Sequence, residues 1–334
     1  MTDNTSRIDP TGRPPDLVPA PDDFDERWLA TLDEARTIGG AEATLVAVDA
    51  GLTLVDVWDM TFAGFGGDPI KAWYVRPHGV SDDLPLVVEF LGYTDGRGLP
   101  HERLMWANAG YAYVVMDTRA QGTGGGGGGG TSDASGSGHA GSPAATGYLT
   151  RGIRRFDTHY YRRLITDAAL CVEASSSLPG VDRSRVVVAG GSQGGGLAIA
   201  AAGLVDGIAA ALVDVPFLCD FRRAVDLAVG DPYDEIVRYL AIHRERVEET
   251  FETLAYVDAV HHAARATAPA LFSVGLRDVT CPPATVRAAY EAWGGDVEIV
   301  EYPFNGHEGG GPYQQRRQIE FLARQWDERA ASLT

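Results

Sequence analysis

Cysteine is scarce in this chain: Cys171, Cys219 and Cys281 are the only three, scattered and without a Cys-x-x-Cys pair. They offer neither a disulfide framework nor a zinc site, so a reducing compartment is expected. Positive charge is short too. Against 46 Asp and Glu stand 28 Lys and Arg, a formal net charge of −18. That surplus repels nucleic acid and anionic membranes and leaves an uncharged small molecule as the expected partner. The longest apolar run, 194–205, is too short to span a bilayer and is mostly Ala and Gly. The N-terminal "MTDNTSRIDPTGRPPDLVPAPDDF" lacks the basic start and apolar segment of a secretory signal, so a cytoplasmic location is expected. Metal-binding spacing is missing as well. His139, His159, His243 and the His261-His262 pair fall at no strand end, and "HEGGG" (307–311) is not His-Glu-x-x-His, so no metal is expected.

What the chain does contain is a core and a strong alternation of elements. Its 334 residues are 45% apolar and 22% charged, which fits one large α/β domain over 1–334. The runs "LVVEF" (86–90), "YAYVVMD" (111–117), "RVVVAG" (185–190), "AALVDV" (210–215), "ALFSVG" (270–275) and "VEIVEY" (297–302) read as buried parallel strands. Between them, 166–178 reads as a helix opening on a Thr166 cap, and 282–295 as one entered by Pro and left by Gly. Strand, helix, strand order implies a mostly parallel sheet flanked by helices. Residues 24–37 have helical periodicity, and the Pro- and Asp-rich 1–25 read as an arm. The charged stretch 219–262 reads as a helical insertion over the sheet, either a lid or a subunit contact.

The chemistry concentrates at "VVVAGGSQGGG" (186–196), a β-run followed by Gly190-Gly191-Ser192-Gln193-Gly194 and a helix of small residues. This is Gly-x-Ser-x-Gly between a strand and a helix, where flanking glycines let strand and helix approach closely and the serine is lifted to the sheet edge. A serine hydroxyl needs a histidine to take its proton and an acid to orient that histidine. Asp278 after "ALFSVG" and His307 after "VEIVEYPF" stand in the required order at strand ends, with Asp214 as the rival acid. Two N–H donors for a developing oxyanion are expected from Gln193, which follows the nucleophile, and from Tyr93 in the loop after 86–90. Glu308 reads as a local structural residue, and Cys281, before two prolines, as a packing residue.

The blocks "FLGYTDGRGLP", "MDTRAQG", "GGSQGGG", "GLRDVTCPP" and "NGHEGGG" resemble the signatures of the acetyl xylan esterase and cephalosporin-C deacetylase family, and the likeness covers most of the chain. The resemblance implies an α/β-hydrolase fold, removal of acetyl groups from small sugars and related alcohols, no cofactor, and a homo-oligomer, commonly a hexamer. It implies Ser192, Asp278 and His307 as triad, Tyr93 and Gln193 as oxyanion donors, and Arg119 and Gln121 in support, Arg119 bracing active-site loops. Two positions depart from the pattern: Ala120 stands where the family has glycine, and Leu91 where it often has histidine. A peptidase of the prolyl-oligopeptidase type also uses a glycine-rich serine elbow, but its propeller or other large gate does not fit this length. A catalytically silent hydrolase-fold binding protein would lack part of the triad.

One tract remains. "RAQGTGGGGGGGTSDASGSG" (119–138) has no lysine after its glycines, so it is not a phosphate-binding P-loop, and strands of one alternating pattern flank it, so it is not a domain linker. It reads as a mobile rim of the cleft, leaving a strand at the same edge as Ser192.

Overall fold

A computed structural model describes residues 17–40, 42–124, 127–133 and 146–332. Nine strands form one sheet: β1 Thr44–Ala47, β2 Val55–Ala63, β3 Pro69–Pro77, β4 Leu84–Phe90, β5 Ala112–Met116, β6 Val181–Gly191, β7 Ile208–Asp214, β8 Ala270–Gly275 and β9 Val297–Tyr302. Their order is β1-β2-β3-β5-β4-β6-β7-β8-β9. From β5 to β9 all neighbours are parallel, as the Val- and Ala-rich runs require when both faces are covered. The antiparallel β1 to β3 were not among the strands read from the sequence. Their signal lies in "VDVWDMTFA", where Val55, Val57, Met60 and Phe62 are buried and the residues between them less so. Alternation of this kind marks a strand lying at the less covered end of a sheet.

The helices are α1 Phe24–Gly39, α2 Met105–Asn108, α3 Tyr160–Ser176, α4 Gln193–Leu204, α5 Phe221–Leu227, α6 Asp234–Ile242, α7 Val247–Ala255, α8 Ala259–Ala263, α9 Pro283–Ala292 and α10 Gly311–Ser332. One face of the sheet packs on α1, α3, α4, α8 and α9, and the other on α2 and α10 through Trp106, Phe321 and Leu322. The expected cap at Thr166 is corrected: α3 begins six residues earlier. Tyr160, Tyr161, Leu164 and Ile165 already lie on its buried face, and the Thr166 hydroxyl donates to Arg162 O at 2.8 Å from inside the helix. Residues 219–262 do carry short helices, α5 to α8. Of the N-terminal arm, residues 1–16 lie outside the described residues, and the Val18 carbonyl pairs with the His261 ring at 2.9 Å.

The glycine-rich tract is also corrected, where it is described. Gly96 and Gly98 N–H donate to the Gly127 and Gly128 carbonyls at 3.1 Å each, and Gly130 N–H to Asp117 Oδ2 at 2.6 Å. A Cβ on Gly122 would stand 2.1 Å from Gly129 N, and one on Gly96 2.3 Å from it. These glycines therefore let backbone pack on backbone instead of forming a mobile rim. Residues 125, 126 and 134–145, with His139, lie outside the described residues.

Candidate active site

The site begins where β6 turns into α4. Ser192, at the turn, has φ 57° and ψ −121°, a strained conformation for a side-chain-bearing residue. The elbow is held by Ser192 N–H donating to Asp214 O, and by Gly196 and Phe217 N–H donating to Ser192 O. The crossing is tight: a Cβ on Gly190 would lie 2.3 Å from the Gly194 carbonyl carbon, and one on Gly194 2.0 Å from Phe90 O in β4. Both obstacles are backbone and cannot swing aside. Gly194→Ala is therefore expected to destabilise the fold by about 1–3 kcal/mol, read by denaturant titration. An unchanged midpoint would show that strand and helix do not need this approach.

The loop after β8 carries Asp278 and the loop after β9 carries His307. His307 Nδ1 pairs with Asp278 Oδ2 at 2.8 Å, and His307 Nε2 lies 2.9 Å from Ser192 Oγ. The other Asp278 oxygen accepts from the N–H groups of Thr280 (2.8 Å) and Cys281 (3.0 Å), so the carboxylate is locked by its own turn. With Asp278 ionised, Nδ1 carries the proton and Nε2 is free to accept from the serine. The Asp278 side chain is buried while His307 is about one-third exposed, which leaves the imidazole open to the cleft. Asp214 does not meet His307. It accepts from Ser273 Oγ (2.8 Å) and Gln318 Nε2 (2.6 Å) beneath the elbow, and burial pushes its carboxyl up to about 6. Glu308 closes its own loop, accepting from Asn305 Nδ2 and Gly306 N–H. Cys281 is fully buried.

Gln193 opens α4 directly after Ser192, and Tyr93 lines the cleft beside it. The Gln193 side chain does something the sequence did not reveal. Its Nε2 donates to Leu91 O and Gly92 O at 3.2 Å each, tying the Tyr93 loop to the first turn of α4. Its Oε1 accepts from Gln121 Nε2 and from the Tyr161 hydroxyl, both at 2.9 Å. Gln121 Oε1 in turn accepts from Thr94 N–H at 2.7 Å, so two buried amides join the loops after β4 and β5 to the start of α4 beside Ser192.

Arg119 lies at the centre of an ion-pair cluster. It is fully buried and pairs bidentately with Asp167 of α3 (2.7 and 2.9 Å), then with Asp68 (2.5 Å) and Asp133 (3.2 Å). These partners lie in the turn at 65–68, in α3 and at Asp133 of the glycine tract, segments its planar fork joins. The next residue, Ala120, has φ 60°, a conformation that favours glycine.

A cleft of about 630 Å³ opens at Ser192 and His307, walled by Tyr93, Thr94, Thr280 and Pro232. Pro232 comes from the 219–262 segment, a wall residue with no sequence signal of its own. Asp95, Asp231, Glu308, Glu89 and Arg103 also line the cleft.

The profile of the acetyl xylan esterase (AXE1) family matches residues 15–325. The solved acetyl xylan esterase from Paenibacillus sp. R4 is 34% identical, with a TM-score of 0.84 over 93% of this chain and 96% of that one. Acetyl xylan esterase 1 from Thermoanaerobacterium sp. JW/SL YS485 is 32% identical, with a TM-score of 0.82 over 92% and 95%. The acetyl esterase Axe7A of Xylanibacter ruminicola is 27% identical over 295 residues, 86% of this chain but 63% of that esterase's length. The solved esterases share the α/β-hydrolase fold, and the sheet and helices described above are of that fold.

Proposed function

Because this chain belongs to the acetyl xylan esterase family, we propose that it hydrolyses small acetyl esters of sugars or related alcohols through an acyl-enzyme on Ser192. The observation that carries the reading is the unbroken chain Asp278–His307–Ser192, 2.8 and 2.9 Å per link, opening on the cleft. His307 takes the Ser192 proton as Oγ attacks the ester carbonyl, then gives it to the departing alcohol. The Tyr93 and Gln193 N–H groups stabilise the oxyanion, and Asp278 stabilises the imidazolium formed in between. Water, deprotonated by the same imidazole, releases acetate. No step needs a metal or cofactor.

The carboxylates Asp95, Asp231 and Glu308 that line the cleft favour an uncharged alcohol over an anionic one. Self-association into a homo-oligomer and a cytoplasmic setting belong to the same proposal and rest on the family and composition alone. Among the described residues no helix is long and apolar enough to cross a membrane.

Acyl size is the sharpest test. The Tyr93 ring is boxed edge-on by Tyr148 and Phe217, with centroids at 5.5 and 6.1 Å, so it cannot yield to a longer acyl group. A methylene that fits would add about 0.8 kcal/mol of binding, whereas one forced against a closed wall costs about 1–3 kcal/mol, roughly 5- to 150-fold. We expect kcat/KM to fall from acetate through butyrate to octanoate esters of one neutral alcohol. A rise with acyl length would mean an open acyl channel, and a preference for a dipeptidyl anilide over a chromogenic acetate would favour a peptidase.

A further inference from the structure

One buried carboxylate has no part in the proton transfers. Glu235, in the first turn of α6, is 5% exposed and has no cation at ion-pair distance among the described residues. Its Oε1 accepts from the Tyr93 hydroxyl at 2.5 Å and from Gly147 N–H at 2.8 Å, and its Oε2 from Leu149 N–H at 3.1 Å. The Tyr93 oxygen itself accepts from Tyr148 N–H at 3.1 Å and from Gly147 N–H at 3.4 Å. Three segments far apart in sequence thus converge on two oxygens: the loop carrying Tyr93, the stretch 147–149 that follows the glycine-rich tract, and α6 of the 219–262 segment. Three residues before Glu235, Pro232 already lines the cleft.

We propose that Glu235 is the positioning residue of the Tyr93 loop. By gripping the Tyr93 hydroxyl it sets where the Tyr93 N–H points, and it makes the inner edge of the 219–262 segment a fixed wall of the cleft and not a lid. The inference rests on the esterase reading, since it gives Tyr93 N–H an oxyanion to meet. Two polar anchors flank the Tyr93 peptide. Gln193 holds the Leu91 and Gly92 carbonyls on one side of Tyr93, and Glu235 holds the end of its side chain on the other. Releasing one lets the peptide between them tilt while the ring stays packed, and donors aimed at a developing charge lose most of their effect when misaimed. A carboxylate suits the position because all three groups facing it are donors. Glutamine would turn its NH₂ toward at least one of them, donor against donor.

The test compares Glu235→Gln, Tyr93→Phe and the double variant with the native enzyme on a chromogenic acetate, with thermal melts alongside. Each single change is expected to lower kcat on the order of tenfold while KM stays within about twofold, because the lost interaction acts in the transition state. The double variant should be no worse than the poorer single one, since both remove the same contact. A contact that only supports the fold would lower the melting temperature and leave kcat alone, and a lid that must open would turn over as fast or faster when loosened. Native kcat in Glu235→Gln, or losses that multiply in the double variant, would overturn the proposal. Should Glu235→Gln not fold, Tyr93→Phe, which keeps the packed ring and removes only the hydroxyl, decides alone: native kcat there overturns it. A native protein that releases no acetate would instead sink the esterase reading.

Discussion

Ser192→Ala is expected to lower kcat by roughly 10⁴- to 10⁶-fold on any acetyl ester, with the fold intact. The change removes one oxygen, which meets His307 Nε2 at 2.9 Å, and leaves in place the backbone bonds that hold the elbow. Alanine tolerates φ 57° no worse than serine does, so the melting temperature should stay near native. Without Oγ no acyl-enzyme forms. The oxyanion donors and the imidazole remain, so a residual rate from water attacking directly is expected above background. Steady-state turnover and the loss of any pre-steady-state burst check this. A variant within a hundredfold of native would mean that the acyl group never resides on Ser192.

The second large effect separates two carboxylates that end neighbouring strands. Asp278→Asn is expected to cost about 10³- to 10⁴-fold in kcat, for a reason visible in its hydrogen bonds. One Asp278 oxygen accepts two backbone N–H groups, from Thr280 and Cys281, so an asparagine will keep its carbonyl there and turn its NH₂ to His307 Nδ1. Nδ1 must then accept, which puts the ring proton on Nε2, and that nitrogen can no longer take a proton from Ser192. Asp214→Asn touches no part of this relay and is expected to cost less than about tenfold. Its effect belongs to stability. Burial raises the Asp214 carboxyl to about 6 from an ordinary value near 3.8, so the fold prefers it protonated. That preference is fully present below about pH 4 and is lost as pH rises through 6, a span of about 3 kcal/mol. At pH 8 the asparagine removes a buried charge and partly offsets the hydrogen bond it gives up to Ser273 or Gln318. Equal losses of kcat at the two positions would reverse the assignment.

Gln121 and Glu235 show where sequence reading stops. Gln121 was singled out by resemblance, yet its work, bridging Thr94 N–H to the Gln193 amide, depends on a 72-residue separation closed by β5 and β6 lying on either side of β4. Glu235 lies in a charged stretch indistinguishable from a solvated helix face, and only the fold turns it inward. Arg119 and the glycine tract were legible as unusual, but their roles depend on Asp167, Asp133 and Gly96, which no local pattern connects to them.

What the chain settled by itself was local. The parallel strands are written in Val- and Ala-rich runs, and the elbow in glycines whose missing side chains a tight strand-to-helix crossing demands. The order Ser192, Asp278, His307 follows from the strand ends that present them. Tertiary structure decided which of two strand-end acids meets the imidazole, what holds the Tyr93 loop, and which segment walls the cleft. Those outcomes turn on distances of about 3 Å between residues tens to more than a hundred positions apart, set by how helices pack on the sheet and not by any periodicity along the chain.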